Sequence, residues 1–145
     1  MANRLAKLTL SVSSLEEPTP YVNVFHGEVV SQDSDLKTNV YRFFETDYGT
    51  LLVSIDYSKD KIVIQERSQI VNMTIHLQEG KICSCSLLLE GREMRLNTKT
   101  LSINISENKI ALEYEIYVPE DLENYLTRNK IEIDCEVSNT CSILN

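Results

Sequence analysis

Two cysteines one residue apart, Cys83-Ser84-Cys85, sit in the run Lys81-Ile82-Cys83-Ser84-Cys85-Ser86-Leu87-Leu88-Leu89, and thiols so spaced raise the question of metal or redox chemistry. On a strand, residues two apart face the same way with Cα atoms roughly 6.6 Å apart. A disulfide across that distance is strained. A zinc site would have to recruit Cys135 and Cys141, yet structural zinc sites pair their ligands across turns of two to four residues. Cys85 falls in register with Leu87 and Leu89, and Cys135 with Ile131 and Ile133. The expectation is free, buried thiols, with no metal and no cofactor.

The histidines are His26 and His76. His76 falls on the polar side of an alternating run. His26 and Glu28 share a parity in Val22-Asn23-Val24-Phe25-His26-Gly27-Glu28, and a His–Glu pair inside a barrel is general-base material. Gly27 between them marks a bend or bulge. Arg67, after Glu66 at a strand end, is a candidate anion or ligand contact, and Tyr114 on an inward row is a fourth ligand-binding candidate. No phosphate loop, nucleotide fingerprint, paired-carboxylate motif or Ser/His/Asp order is present, and no catalytic residue is assigned.

These residues must be positioned by one domain, since 145 residues suit a single sizeable core. Fourteen basic residues against twenty-two acidic ones leave a net charge of −8. That field repels phosphate backbones and anionic membrane surfaces, so neither nucleic acid nor membrane is an expected partner. The N-terminal residues alternate and form no signal-type apolar core, and no run approaches the roughly 20 apolar residues of a membrane span. A cytoplasmic setting is the expectation, which makes the Asn-x-Ser/Thr triplets at Asn72 and Asn104 irrelevant to glycosylation. Cys141 stands fifth from the end, one place off a prenylation box.

Period-two alternation dominates. Val71-Met73-Ile75-Leu77, Ile110-Leu112-Tyr114-Ile116-Val118 and Ile131-Ile133-Cys135-Val137 each alternate with polar residues, the mark of half-buried strands. Gln78-Glu79-Gly80, Glu90-Gly91, Glu107-Asn108 and Ser58-Lys59-Asp60 are hairpin connections, so residues 50–118 read as an antiparallel meander without a helix. Earlier strands are expected near 5–12, 21–30 and 39–45. The one helical candidate lies at 119–126, where Pro119 and acids precede Leu122 and Leu126, one turn apart. Met94, Leu96 and Thr98 share one parity and Leu101, Ile103 and Ile105 the other, which predicts a bulge near Lys99–Thr100. The pattern implies an all-β, up-and-down antiparallel barrel of 8–10 strands over residues 1–145, with 138–145 a loose tail.

The order of Phe43-Phe44-Glu45-Thr46-Asp47-Tyr48-Gly49, Ile64-Gln65-Glu66-Arg67-Ser68, the hairpin around Gly80, Leu87-Leu88-Leu89-Glu90-Gly91, Leu96-Asn97-Thr98-Lys99-Thr100-Leu101 and Ile110-Ala111-Leu112-Glu113-Tyr114 resembles the YwiB-like family of small bacterial proteins. The resemblance spans roughly residues 40 to 137. It implies a calycin-like (lipocalin-like) barrel with no established activity, and it makes available a reading in which Arg67 packs across one end of the barrel. Ser68-Gln69 stands where the family leads one to expect a glycine.

Together these readings imply a non-catalytic binding module, for a small apolar or amphipathic ligand in the barrel mouth or for a partner protein on one face. The alternative is a small enzyme at the mouth, built from His26, Glu28 or Arg67. A deep apolar cavity would favour a ligand, and a packed interior with an exposed apolar patch a protein partner. Enzyme chemistry requires at least two of the three named side chains to converge.

Overall fold

A computed structural model describes residues 4–33, 38–44, 49–56, 61–106 and 108–136. The turn expected at 58–60, the 45–48 stretch of the resemblance, Val137 and the tail with Cys141 lie outside the described residues. The alternating runs form ten strands: β1 (Leu5–Ser13), β2 (Tyr21–Asp33), β3 (Thr38–Phe44), β4 (Thr50–Asp56), β5 (Lys61–Arg67), β6 (Val71–Gln78), β7 (Ile82–Leu89), β8 (Arg92–Ile105), β9 (Lys109–Tyr117) and β10 (Thr127–Cys135). Each pairs antiparallel with its sequence neighbours, and β1 closes the barrel on β10, from Ala6 opposite Cys135 to Ser13 opposite Arg128.

Directly opposed residues share a face, so the inward rows can be read around the wall. Leu8, Ile133 and Ile110 form one such row, and Val53, Ile64 and Ile75 another. Each is almost entirely removed from water. Among the described residues, twenty buried ones make one cluster through the barrel, with Leu10, Phe25, Met73, Ile103, Val118 and Cys135 packed against it. Burying an aliphatic side chain of this size stabilises by about 1.5–3 kcal/mol, so the interior is the main source of the fold's stability.

Turn chemistry sets the hairpins. Glu90 (φ 49°) and Gly91 (φ 81°) both occupy the left-handed region between the paired Leu89 and Arg92, the backbone of a two-residue primed turn. Ser68 takes over the role of the expected glycine. Its hydroxyl accepts the N–H groups of Ile70 (3.3 Å) and Val71 (2.9 Å) and closes the β5–β6 turn.

Three readings are refined. The β8 bulge falls between Thr100 and Ser102, one residue beyond its expected place, and it returns Ile103 to the face of Leu96. Gly27 is not a bulge, because the β2 register slips between Val29 and Ser31. A Cβ on Gly27 would instead lie 1.9 Å from the Arg42 carbonyl oxygen, so glycine there permits close approach of β3. Residues 119–126 form turns and bends rather than a helix. Asp121 Oδ1 accepts the N–H groups of Glu123 (3.1 Å) and Asn124 (3.2 Å), closing a local turn where a helix would have continued. These bonds hold the Asp121 carboxyl below its ordinary pKa. Among the described residues no helix is long and apolar enough to cross a membrane.

Candidate functional site

The barrel's two ends are built differently. One, the rim end, gathers the connections after the odd-numbered strands. The other, the terminal end, gathers the start of β1, the finish of β10 and the remaining connections.

At the rim end, apolar side chains stand out of the loops. Leu15 after β1 is 55% exposed, Ile70 after β5 59%, and Leu122 and Leu126 after β9 49% and 44%. Tyr21, Leu89 and Met94 add exposed apolar surface at the adjoining strand ends. The described loops of this end also carry Glu16, Glu17, Glu90, Glu120, Asp121 and Glu123 and no Lys or Arg, while Arg67 and Arg92 stand exposed at the adjoining ends of β5 and β8. Acids adjoin the leucines in sequence, in Leu15-Glu16-Glu17, Leu89-Glu90 and Asp121-Leu122-Glu123. Ten strands about 4.8 Å apart and tilted as barrels require close a ring roughly 20 Å across. One partner can therefore touch several of these loops at once.

The longest rim loop, 118–126, is held by charge rather than by helix formation. Glu115, buried on the outer wall, accepts Arg128 Nε (3.0 Å) and Nη2 (2.6 Å) on one carboxylate oxygen and the Tyr117 hydroxyl on the other. The Arg128 guanidinium lies 4.8 Å from the centroid of the Tyr125 ring. Leu126 N–H donates to the Ile116 carbonyl at 2.7 Å. Burial, reinforced by the bond to Glu115, pushes the Tyr117 hydroxyl up to about 12, so it remains a donor at neutral pH. Leu122 and Leu126 thus stand on an ordered loop.

The four residues singled out by sequence lie apart. His26 and Glu28 project from the outer wall of β2, because Phe25 and Val29 take the inward positions. This corrects their expected place inside the barrel. Glu28 is engaged by Arg42 at 2.9 Å. Arg67 does not pack across a barrel end. It is exposed, and its Nη1 donates to the carbonyls of Glu66 (3.1 Å) and Met73 (3.4 Å). His26 and Arg67 share a cross-strand row through Phe44 and Thr50, yet three strand spacings separate them, roughly 14 Å. Tyr114 does face inward, but it is enclosed in the core, where its hydroxyl accepts Asn129 Nδ2 (3.2 Å). Burial pushes its pKa up to about 12. His26, Glu28 and Arg67 do not converge, so the geometry an active site would need is not met there.

Cys85 and Cys135 behave as small core residues, whereas Cys83, expected to be buried, is half-buried and stands outside the core cluster. Cys85 is buried and unpaired, and burial pushes its thiol up to about 11. Cys135 is also raised by burial, partly offset by Arg4. Among the described residues, no three His, Cys, Asp or Glu side chains group as metal ligands.

The chain is thus a closed ten-stranded antiparallel barrel with a filled interior and an apolar, acidic rim. This architecture is similar to the crystal structure of the YwiB protein from Bacillus subtilis, with a TM-score of 0.64 over 93% of this chain and 94% of that chain. At 18% sequence identity, the likeness is one of fold. It extends beyond the 40–137 span on which the sequence resemblance rested. No family model matches the chain, and no curated protein matches it.

Sequence reasoning passed over the rim residues. Their signal is a leucine or isoleucine in a turn where a polar residue is usual, beside one or two acids. The helix expected at 119–126 would place Leu122 and Leu126 on one face, and local pattern gives Leu15 and Ile70 no role.

Proposed function

We propose that this protein is a non-catalytic interaction module that docks a basic, amphipathic partner segment on its rim end. The observation that carries the reading is the coincidence, in the same loops, of exposed Leu15, Ile70, Leu122 and Leu126 with six carboxylates, against two exposed cations, Arg67 and Arg92, at the flanking strand ends. Apolar patches of this kind mark interaction surfaces, and the acids select the sign of the partner. A second copy of the chain is disfavoured, since it would bring a second acidic rim against the first. A helix of about 13 residues spans a 20 Å ring, so one short segment suffices. The ordered 118–126 loop lowers the conformational cost of docking. Three described cysteines, all unpaired, favour a reducing, cytoplasmic setting.

The test is fluorescence anisotropy with two labelled helical peptides of equal length, one of leucine and lysine and one of leucine and glutamate. The lysine peptide should bind with an affinity that falls as salt rises, and the glutamate peptide should not. Combining Ile70→Asp with Leu122→Asp should weaken binding at least tenfold without altering the fold. Equal binding of both peptides, or no effect of the double substitution, would sink the proposal.

A further inference from the structure

Independently of the rim, we propose that a recess at the terminal end binds a short-chain aliphatic amine. The recess follows from two departures from a regular barrel. β6 and β7 pair from Val71 and Leu89 only as far as Ile75 and Cys85. Beyond that point β6 turns inward against β8. Thr98 Oγ1 donates to the His76 carbonyl (2.7 Å), and Thr100 Oγ1 accepts the Gln78 N–H (3.1 Å). Two hydroxyls thus occupy ladder positions that β7 has vacated. Glu79 then bridges to Thr100, and its Oε2 accepts the Ile103 N–H at 3.1 Å, just past the β8 bulge.

Between the displaced end of β6, the bulged end of β8 and the paired ends of β4 and β5 lies a recess of about 310 Å³. Four isoleucines line it, Ile55, Ile62, Ile103 and Ile105, with Asp56, Gln78 and Glu79. None of these lining residues is Lys, Arg or His. The volume is about ten waters' worth and lies at the small end of ligand sites. The isoleucines suit an alkyl chain of a few carbons, and the exposed Glu79 carboxylate favours a cationic head over an anionic one. A fatty acid, whose head would meet Glu79, is disfavoured.

The test is an NMR titration of the full chain with hexylamine, hexanol and hexanoate. Hexylamine should shift the methyl signals of Ile55, Ile62, Ile103 and Ile105 and bind at least tenfold tighter than hexanoate. Across butyl-, pentyl- and hexylamine the affinity should rise by up to about fourfold per methylene. Glu79→Gln keeps an oxygen for the Ile103 N–H but removes the charge. It should weaken hexylamine several-fold while leaving hexanol unchanged. Ile105→Lys, at a partly exposed position, should abolish the shifts. Nα-acetyllysine methylamide tests whether the amine is instead a lysine side chain of another protein, and tighter binding by it than by hexylamine would overturn the free-amine assignment. Equal affinity for amine and carboxylate, shifts remote from the isoleucines, or a natively folded Glu79→Gln that binds hexylamine as well as the parent would each overturn the site.

Discussion

The two ends of the barrel close on different terms. At the terminal end the chain clasps itself. Arg4 donates to the Glu136 carbonyl and to Asn108 Oδ1, Glu136 N–H donates to the Leu5 carbonyl, and Cys135 N–H donates to the Asn108 carbonyl. The described residues flanking and connecting the strands there balance Arg4 and Lys81 against Glu79 and Glu136. At the rim end the described loops hold only acids among their charges, and leucines and isoleucine that the core does not cover. The core itself lies between the ends and does not depend on the rim residues. An end whose apolar groups contribute little to folding is free to use them for binding, which is the lesson of the contrast.

The comparison is broken most forcefully by attacking the shared core. Ile133→Asp places an unpaired carboxylate between Leu8 and Ile110 and should destabilise by about 4 kcal/mol or more in denaturant melts. Glu132→Lys, one residue away on the outer wall, loses exposed pairs with Lys109 and Lys130 and should cost under about 1 kcal/mol. Equal tolerance of the two would overturn the assigned faces.

Replacing Thr98 and Thr100 together by valine strands the His76 carbonyl and the Gln78 amide and should cost about 2–3 kcal/mol. Hydrogen exchange sharpens this test, since the Gln78 amide should lose protection ahead of the β9–β10 ladder. Unchanged protection would mean that the hydroxyls do not hold β6. At the rim, Arg128→Ala leaves the buried Glu115 with Tyr117 alone and should cost about 2 kcal/mol. It should also speed proteolysis within 118–126. An intact, protease-resistant loop would separate its order from the ion pair.

Alkaline pH reaches both regions, since Tyr114 in the interior and Tyr117 beside the rim loop are both pushed up to about 12, and a single substitution separates them. Tyr114 has its proton affinity raised by folding, so its contribution is intact below the ordinary phenol value, about pH 10, and is lost as pH rises towards about 12. Tyr114→Phe should flatten that alkaline decline in melting temperature, and an identical decline in both proteins would exclude this phenol as its source. The smallest effect is expected at the rim surface, where Leu122→Ser should shift stability by no more than about 0.5 kcal/mol. A larger loss would show that the exposed leucine belongs to the fold and not to a docking surface.

Much of the wall was legible because alternation at period two has one structural meaning wherever a single face is buried. The runs at Val71–Leu77, Ile110–Val118 and Ile131–Cys135 became strands with the faces their parity assigns. β2 was not legible in this way. Val22 and Val24 share a parity with His26 and Glu28, so both of its faces look partly apolar. Only pairing with Leu8 and Phe43, which places Phe25 and Gly27 inward, turns the His–Glu pair outward. Thr98 and Thr100 read as ordinary strand threonines because their partners lie 22 residues away on a strand that parity alone would have paired with β7.

By itself, then, the sequence determined the strands, the described turns and, among the described residues, the absence of a helix in 50–118, since these follow from local alternation and turn chemistry. Tertiary structure alone decided where β1 meets β10, which face of β2 is wet, and where β6 leaves β7. It also placed exposed leucines from separate loops at the same end of the barrel. Those outcomes depend on contacts between residues far apart in the chain, and local periodicity carries no information about which distant edge a strand will find.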